Sequence, residues 1–487
     1  MPVCAGTFKL EEATINQMRK AMTDGILTSQ QLVMCYMQRV KSPALRTFQT
    51  QEYISSVMQL NPDVMTITAE RDKQRKAGQV LGPLHGIPFT FKDNIATKDS
   101  METTAGSYAL LGSIVPRDAF VVARSRAAGA TPQGASSHEV LTICPAHKNG
   151  VVGIKPTVGL TSRDGVIPEC EHQDTVGTFG RTVRDAVYAL DAIYGIDSRD
   201  NYTDAQSGKM SRVMARSNGD MECGYAQFLT NKTTLYNATF GIPWYSFWNI
   251  SNAETKAQLD ALITLIQENG GTIVNFTEIT DHEKVVNKTG WDWNWQGKIG
   301  HPEKSEYTVV LVDFYNNIKK YLSGLQNTKI RSLEDIIKFN YDNDGIEGGY
   351  PLNGNYTMPG RIQNDTYWKA LNYMQTTTRV DIDGALSYNG TQLSGLLVPV
   401  SVAQTYQIAA QAGYPMITIP AGIYADTGMP FGLRIMQTAF AEGELVRWAS
   451  AIEDLQLNSG TAFQKTRPKW LRHLERPIPI DREPKGN

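Results

Sequence analysis

Two short runs near the C-terminal end, Leu396 to Val400 and Met416 to Ile419, contain a single polar side chain between them, Thr418. A strand with one face in water alternates apolar and polar residues, so a run without alternation has to be covered on both faces. Such strands need helices above and below them. The sequence predicts those helices, and it reads the two runs as parallel strands inside a layered structure.

Residues 28 to 40 open on a capping box, Thr28 with Gln31, and repeat Leu32, Val33, Tyr36, Met37 and Val40 at helical spacing. A second helix starts at Thr182, with Asp185 three residues on, buries Val183, Val187, Leu190 and Tyr194, and stops at Gly195. A third places Leu259, Leu262, Ile263 and Ile266 on one face, ends at Gly270-Gly271 and leads into a strand, Thr272-Ile273-Val274. Helices and strands interleave, which makes the fold class α/β. No internal repeat, low-complexity tract or Pro- or Ser-rich linker divides the chain. Residues 1–487 therefore read as one domain, with 200–395, rich in Asn, Tyr, Trp and Gly, as its insertion-rich variable part.

Lysine and arginine (47) nearly balance aspartate and glutamate (49), and no block of five like charges occurs. That disfavours nucleic acid or an anionic membrane as a partner and leaves a small molecule; oligomeric state is not legible. No eighteen apolar residues run together, and Met1 to Gln17 lacks the pattern of an export signal. As written the chain reads as cytoplasmic. Its five cysteines, Cys4, Cys35, Cys144, Cys170 and Cys223, are scattered and read as reduced, buried thiols. One feature points the other way. Asn-X-Ser/Thr acceptors stand at Asn201, Asn231, Asn237, Asn249, Asn275, Asn287, Asn355, Asn364 and Asn389, where composition alone would give roughly four. They matter only in a secreted protein, and their excess points to secretion if the N-terminus is incomplete and once held an export signal.

The chemistry begins with exclusions. There is no HExxH and no His pair at i, i+4 among the seven histidines, so no metal site is expected, nor any cofactor. Gly150 to Thr157 fails the phosphate-loop pattern, and Pro156 would spoil its helix start. Neither GxSxG nor SxxK occurs. The informative stretch is Gly82 to Asn94. In an extended strand Ile87, Phe89 and Phe91 share one face and Lys92 points to the other, just before an Asp93-Asn94 turn. A lysine against such a wall loses solvation, which favours its neutral amine and makes it a candidate base. A solvated or salt-bridged surface lysine fits the same pattern.

Gly86 to Asp93, Gly150 to Arg163, Val166-Ile-Pro168, Asp174-Thr-Val-Gly177 and Arg181 to Asp185 resemble the amidase signature family, most closely its fungal branch. The resemblance continues in Gly241 to Trp244, Gly413 to Gly422 and Gly428 to Leu433, and is weakest over 200 to 390. It implies an α/β/α sandwich around a large twisted mixed sheet, locally incomplete here. It implies hydrolysis of a linear carboxamide of a small molecule by a Ser-Ser-Lys triad, with water as acyl acceptor and without metal or cofactor. In the family a lysine, matched by Lys92, takes a proton through one serine, which activates a second, nucleophilic serine; backbone N–H groups beside the nucleophile hold the oxyanion.

The family's Gly-Gly-Ser-Ser-Gly type loop and its Thr-Asp/Glu-Thr-x-Gly-Ser segment are both absent from this chain. Gly129-Ala130 and Gly134 to Glu139 resemble the approach to the serine loop, and Ile143 to Ala146 the residues after the nucleophile, which puts Leu141 at or near its place. Several dozen family residues are missing between Glu139 and Thr142. Ser136, Ser137, Thr142 and Cys144 are the nearby stand-in nucleophiles; each needs a base and an oxyanion site, and otherwise reads as an ordinary loop or core residue. Two functions follow: an amidase whose chain has lost the serine segment, or a catalytically inactive homologue that binds a small molecule or a protein. A lost strand and helix would also expose apolar surface and orphan backbone groups, so a molten or poorly soluble chain is expected. Trp244, Phe247, Trp248, Trp291, Trp293 and Trp295 read as core, or as a wall for an aryl or alkyl amide.

Overall fold

The structure, a computed structural model, describes residues 8–10, 12–41, 57–136, 142–209, 224–281, 301–343, 362–400 and 405–458. Strands β1 (Val57–Leu60), β2 (Pro88–Lys92) and β3 (Thr131–Ser136) form a small sheet in the order β1-β3-β2. A seven-stranded mixed sheet is built from β4 (Val152–Lys155), β5 (Thr178–Gly180), β6 (Thr239–Ile242) and β7 (Thr272–Asn275). Between β8 (Ser387–Tyr388) and β9 (Thr391–Gln392), which make a hairpin, and the C-terminus come its last three strands, β10 (Gly395–Pro399), β11 (Met416–Ile423) and β12 (Pro430–Met436). The order across the large sheet is β5-β4-β11-β12-β10-β6-β7. Among the described residues the expected large mixed sheet is thus present, but with β1, β2 and β3 split from it.

The two apolar runs lie in β10 and β11, whose residues are buried along nearly their whole length. Successive side chains of a strand point to opposite faces, and the core divides accordingly. Leu396, Val398, Met416 and Met436 pack with Ile143, Ile382, Leu386 and Ile408 on one side. Leu397, Ile417, Ile419, Leu433 and Ile435 pack with Leu259, Ile266, Leu445 and Val446 on the other. Helices Ile143–Lys148, Asp365–Leu386 and Thr405–Ala412 cover the first face, and Ala253–Glu268 and Glu442–Asn458 the second. Burying each such side chain contributes on the order of 1.5–3 kcal/mol. The parallel direction expected for these strands is not found: β11 is antiparallel to both β4 and β12, and β10 is antiparallel to β12 and parallel only to β6. Two-sided burial, whatever the strand direction, is what removes the polar alternation.

The expected helices form where their caps lie. Thr28 and Gln31 close the box on helix Ser29–Lys41, with Gln31 N–H donating to Thr28 Oγ1 at 3.1 Å and Thr28 N–H to Gln31 Oε1 at 2.9 Å. Thr182 accepts from Asp185 N–H at 3.1 Å at the head of Val183–Ile193. Helix Ala253–Glu268 ends before Gly270, whose φ of 90° turns the chain into β7. One expectation about the thiols fails. Cys144 and Cys170 are in no disulfide, whereas Cys35 is disulfide-bonded, its partner lying outside the described residues; helix Ser29–Lys41 carries Cys35 only half-buried, open to a bridge that sequence spacing could not disclose. Among the described residues no helix is long and apolar enough to cross a membrane.

Candidate active site

Lys92 is the last residue of β2. The neighbouring strand β3 runs parallel to it, and Lys92 stands opposite Ser136 in register, so both strands end at one edge, about 4.8 Å apart. Ile87 and Phe91 are buried, and Lys92 is half-buried, as the alternation predicts. Beyond it Asp93 accepts hydrogen bonds from Thr104 Oγ1 (2.6 Å) and Gly106 N–H (3.1 Å), pinning a turn in which Ala105 has a φ of 50°. Asn94 and Ala96 then bond to the segment after β4: Ile167 N–H donates to Asn94 O at 2.8 Å, and Ala96 N–H to Gly165 O at 2.9 Å. That splice carries residues 169 to 174 over the end of β2.

Burial pushes the Lys92 ammonium below its ordinary pKa, against the opposing pull of Glu169, Asp174 and Asp93. Burial likewise raises Glu169, which Lys92 holds down in part. Asp174 is pushed up to about 6 by burial, although it accepts from the N–H groups of Glu169 (2.8 Å) and Cys170 (3.0 Å). A lysine and two carboxylates, all with weakened charge preference, face one another at the end of β2. This is the acid–base equipment of a site. Among the described residues no hydroxyl or thiol hydrogen-bonds to Lys92.

The 169–174 segment is held from behind by one carboxylate. Asp313, fully buried on helix Glu306–Ser323, accepts from Tyr367 Oη at 2.7 Å, His172 Nδ1 at 2.6 Å and Cys170 Sγ at 3.1 Å. Cys170, His172 and Asp313 are also the one described trio with the atom types and proximity to hold a cation. Their spacing, however, is that of donors sharing one acceptor. Arg163 completes the support, gripping Asp200 through Nε (2.8 Å) and Nη2 (2.6 Å) and the carbonyl of Glu171 through Nη1.

The other residues singled out in the sequence lie as follows. Ser136 ends β3, and Ser137 falls outside the described residues, as do 138–141. Thr142 precedes helix Ile143–Lys148; a Cβ at Gly177 would run into its hydroxyl, so it is packed against the 174–177 segment. Cys144, on the same helix, receives Arg434 Nη2 at 3.9 Å, and burial brings that guanidinium down to about 10. The structure joins neither Thr142 nor Cys144 to Lys92. Phe247 and Trp248 are core, with Trp248 Nε1 donating to Leu397 O at 2.8 Å; Trp291, Trp293 and Trp295 lie outside the described residues. Of the nine glycan acceptors, Asn287 and Asn355 lie outside them too, and the remaining seven are exposed.

Three participants were missed in the sequence: Glu169, Asp313 and Glu306. Only Asp174 sat in a recognisable motif. Glu306 opens helix Glu306–Ser323 fully buried, accepts from Gln173 Nε2 (2.8 Å) and Gln407 Nε2 (2.5 Å), and is pushed up to about 7 by burial. A carboxyl raised in the folded state keeps a proton that the unfolded chain has already lost, so it takes stability away as pH rises from about 4.5 to about 7. The glutamine partners can flip their amides to suit a neutral amide. Glu306→Gln is therefore expected to gain up to about 3 kcal/mol at pH 8 relative to its effect at pH 4, read as urea midpoints at the two pH values; equal effects at both would contradict the assignment.

The Amidase family model matches residues 43–139 and 142–446 of this chain. A protein of Schizosaccharomyces pombe whose name assigns it to the amidases is 42% identical over 558 aligned positions, covering 99% of this chain and 90% of the relative. Against the 487 residues here, at least 71 of those positions face no residue of this chain. An Arabidopsis thaliana protein named likewise is 30% identical, over 93% of this chain and 92% of its own. Among solved structures, the peptide amidase of Stenotrophomonas maltophilia is similar with a TM-score of 0.72 and 26% identity, over 94% of this chain and 99% of that one. An amidase family protein of Bacillus anthracis has a TM-score of 0.75 at 22% identity, over 95% of each chain, a likeness of fold.

Proposed function

The chain belongs to the amidase family, and from that premise we propose that it is the lysine-bearing part of a hydrolase for linear carboxamides of small molecules, parted from its serines between Glu139 and Thr142. Lys92 is the base of this reading. With its charged form disfavoured by burial, it takes a proton through a bridging serine, and a nucleophilic serine then forms the acyl-enzyme that water opens. The observation that carries the reading is the register of β2 and β3. The chain leaves β3 at Ser136, opposite Lys92, so a stretch entered just after Glu139 begins three residues on from a position level with the lysine. The interruption of the family match after residue 139, and the separation of the β1-β3-β2 sheet from the sheet that begins with β4, fall at that same place.

Transcripts of the gene sequenced across codons 139 to 142 test this directly. A longer form encoding a Gly-rich loop with two serines is expected; genomic sequence that runs from Glu139 to Thr142 with no such stretch inside or beside it would sink the idea.

A second reading, an inactive homologue that binds a small molecule or protein, is favoured by one feature. Lys92 sits among carboxylates that could hold it as a charged, structural group. Both readings expect no labelling of the chain as written by probes for serine or cysteine hydrolases, before or after Lys92→Ala. Labelling that Lys92→Ala abolishes would instead make Ser136, Ser137, Thr142 or Cys144 a working nucleophile. The readings separate on melting: a sharp cooperative transition of the chain as written moves weight to the inactive scaffold.

A further inference from the structure

We infer that this protein is made in a secretory compartment and carries asparagine-linked oligosaccharides at Asn201, Asn231, Asn237, Asn249, Asn275, Asn364 and Asn389. The inference does not rest on the amidase reading. Each of the seven has a Thr or Ser two residues on, and each side chain is exposed. Asn61, Asn94, Asn149, Asn269, Asn327 and Asn343, none of them an acceptor, all donate hydrogen bonds to the protein through Nδ2. None of the seven acceptors does so among the described residues.

The nitrogen that a glycan would occupy is thus unengaged even where the side chain has a structural task. Asn231 uses Oδ1 to accept from Thr233 N–H (3.0 Å) and Thr233 Oγ1 (2.6 Å), capping a short 3-10 helix. Asn364 uses Oδ1 to accept from Tyr367 N–H at 3.1 Å, capping Asp365–Leu386. Asn389 sits at φ 49° in the tight turn of the β8–β9 hairpin, and Asn275 ends the edge strand β7. All are places where a bulky substituent projects into solvent. No acceptor precedes residue 200, so the strands and loops that build the surroundings of Lys92 bear none.

A second, independent observation concerns the compartment. Cys35 is disulfide-bonded, and disulfides persist where the surroundings are oxidising. The same lumen supplies the donor. In the transfer, Asn Nδ2 bonds to the anomeric carbon of an oligosaccharide carried on a lipid diphosphate; the sugar–phosphate bond breaks, the lipid diphosphate leaves, and the displaced amide proton passes to it.

The test uses the protein isolated from the organism that makes it, treated with peptide-N-glycosidase F. Expected are a drop in apparent mass and peptides in which Asn has become Asp at several of the seven positions, with Asn94 unchanged as the internal control. Thr233→Ala, which leaves Asn231 in place, is expected to remove one glycan step and no more. Unshifted mobility together with unmodified asparagine at all seven positions would overturn the inference, as would a native protein whose Cys35 thiol is alkylated without reduction.

Discussion

On the proposed reading, the chain rebuilt by inserting between Glu139 and Thr142 the stretch of the Schizosaccharomyces pombe relative that aligns there is expected to hydrolyse small linear carboxamides, and the chain without it is expected not to. In that rebuilt chain Lys92→Ala is expected to lower kcat by 10²–10⁴-fold, the usual contribution of a positioned general base. The argument runs from geometry to rate. Lys92 lies at the end of a parallel strand, half-buried, with its charged form disfavoured. An amine in this state is available as the neutral base at lower pH than a solvated lysine is. The insertion would bring two hydroxyls and the backbone donors of an oxyanion hole to the strand edge that already holds the base, and each such donor is worth a few kcal/mol of barrier. Stability should rise with activity if the inserted stretch adds a strand to the edge of β2 or β5, since added strand pairing satisfies edge backbone groups. Steady-state hydrolysis and a urea titration of the two chains check both parts. A rebuilt chain that folds, binds an amide and stays inert would remove Lys92 from the proposed role.

What the sequence discloses and what it hides follow from the range of the interactions. The capping box of Thr28 and Gln31, the Thr182 cap and the stripe Leu259-Leu262-Ile263-Ile266 are written within one or two turns of chain, and each forms where its pattern lies. The placement of Lys92 at the end of an apolar strand is local in the same sense. The direction of β11 is not: its partners Gly153 to Lys155 lie more than 250 residues away, and nothing in an apolar run specifies which way its neighbour points. The bond at Cys35 was hidden because spacing alone does not pair scattered cysteines. Lys155 was hidden as well: its place in a superficially phosphate-binding sequence conceals a buried amine that donates to Tyr414 O at 2.7 Å and is brought down to about 7 by burial. The site was therefore half legible. Its base stood in a strand motif, whereas the groups that surround that base are delivered by loops and helices from distant parts of the chain.

Asp313→Ala is expected to destabilise the protein by about 3–5 kcal/mol, more than any other single substitution around the site. One fully buried carboxylate there satisfies Tyr367, His172 and Cys170, which belong to two separate parts of the chain. Removing it leaves three buried donors without an acceptor, each worth on the order of 1–3 kcal/mol, and the total falls below their sum because a cavity of that size admits water. Asp313→Asn keeps one acceptor oxygen and should lose about half as much. The same substitution tests how the site is positioned. Cys170 and His172 lie between Glu169 and Asp174, the two carboxylates that act on Lys92, so Asp313→Ala loosens the carboxylates that oppose the lowered pKa of the lysine. In the rebuilt, active chain two effects would then be read separately: the urea midpoint drops at every pH, while the acidic limb of the rate profile, set by Lys92 losing its proton, moves to lower pH. A lower midpoint with an unmoved profile would leave Asp313 a purely structural residue, and an unchanged midpoint would contradict the buried three-donor arrangement itself.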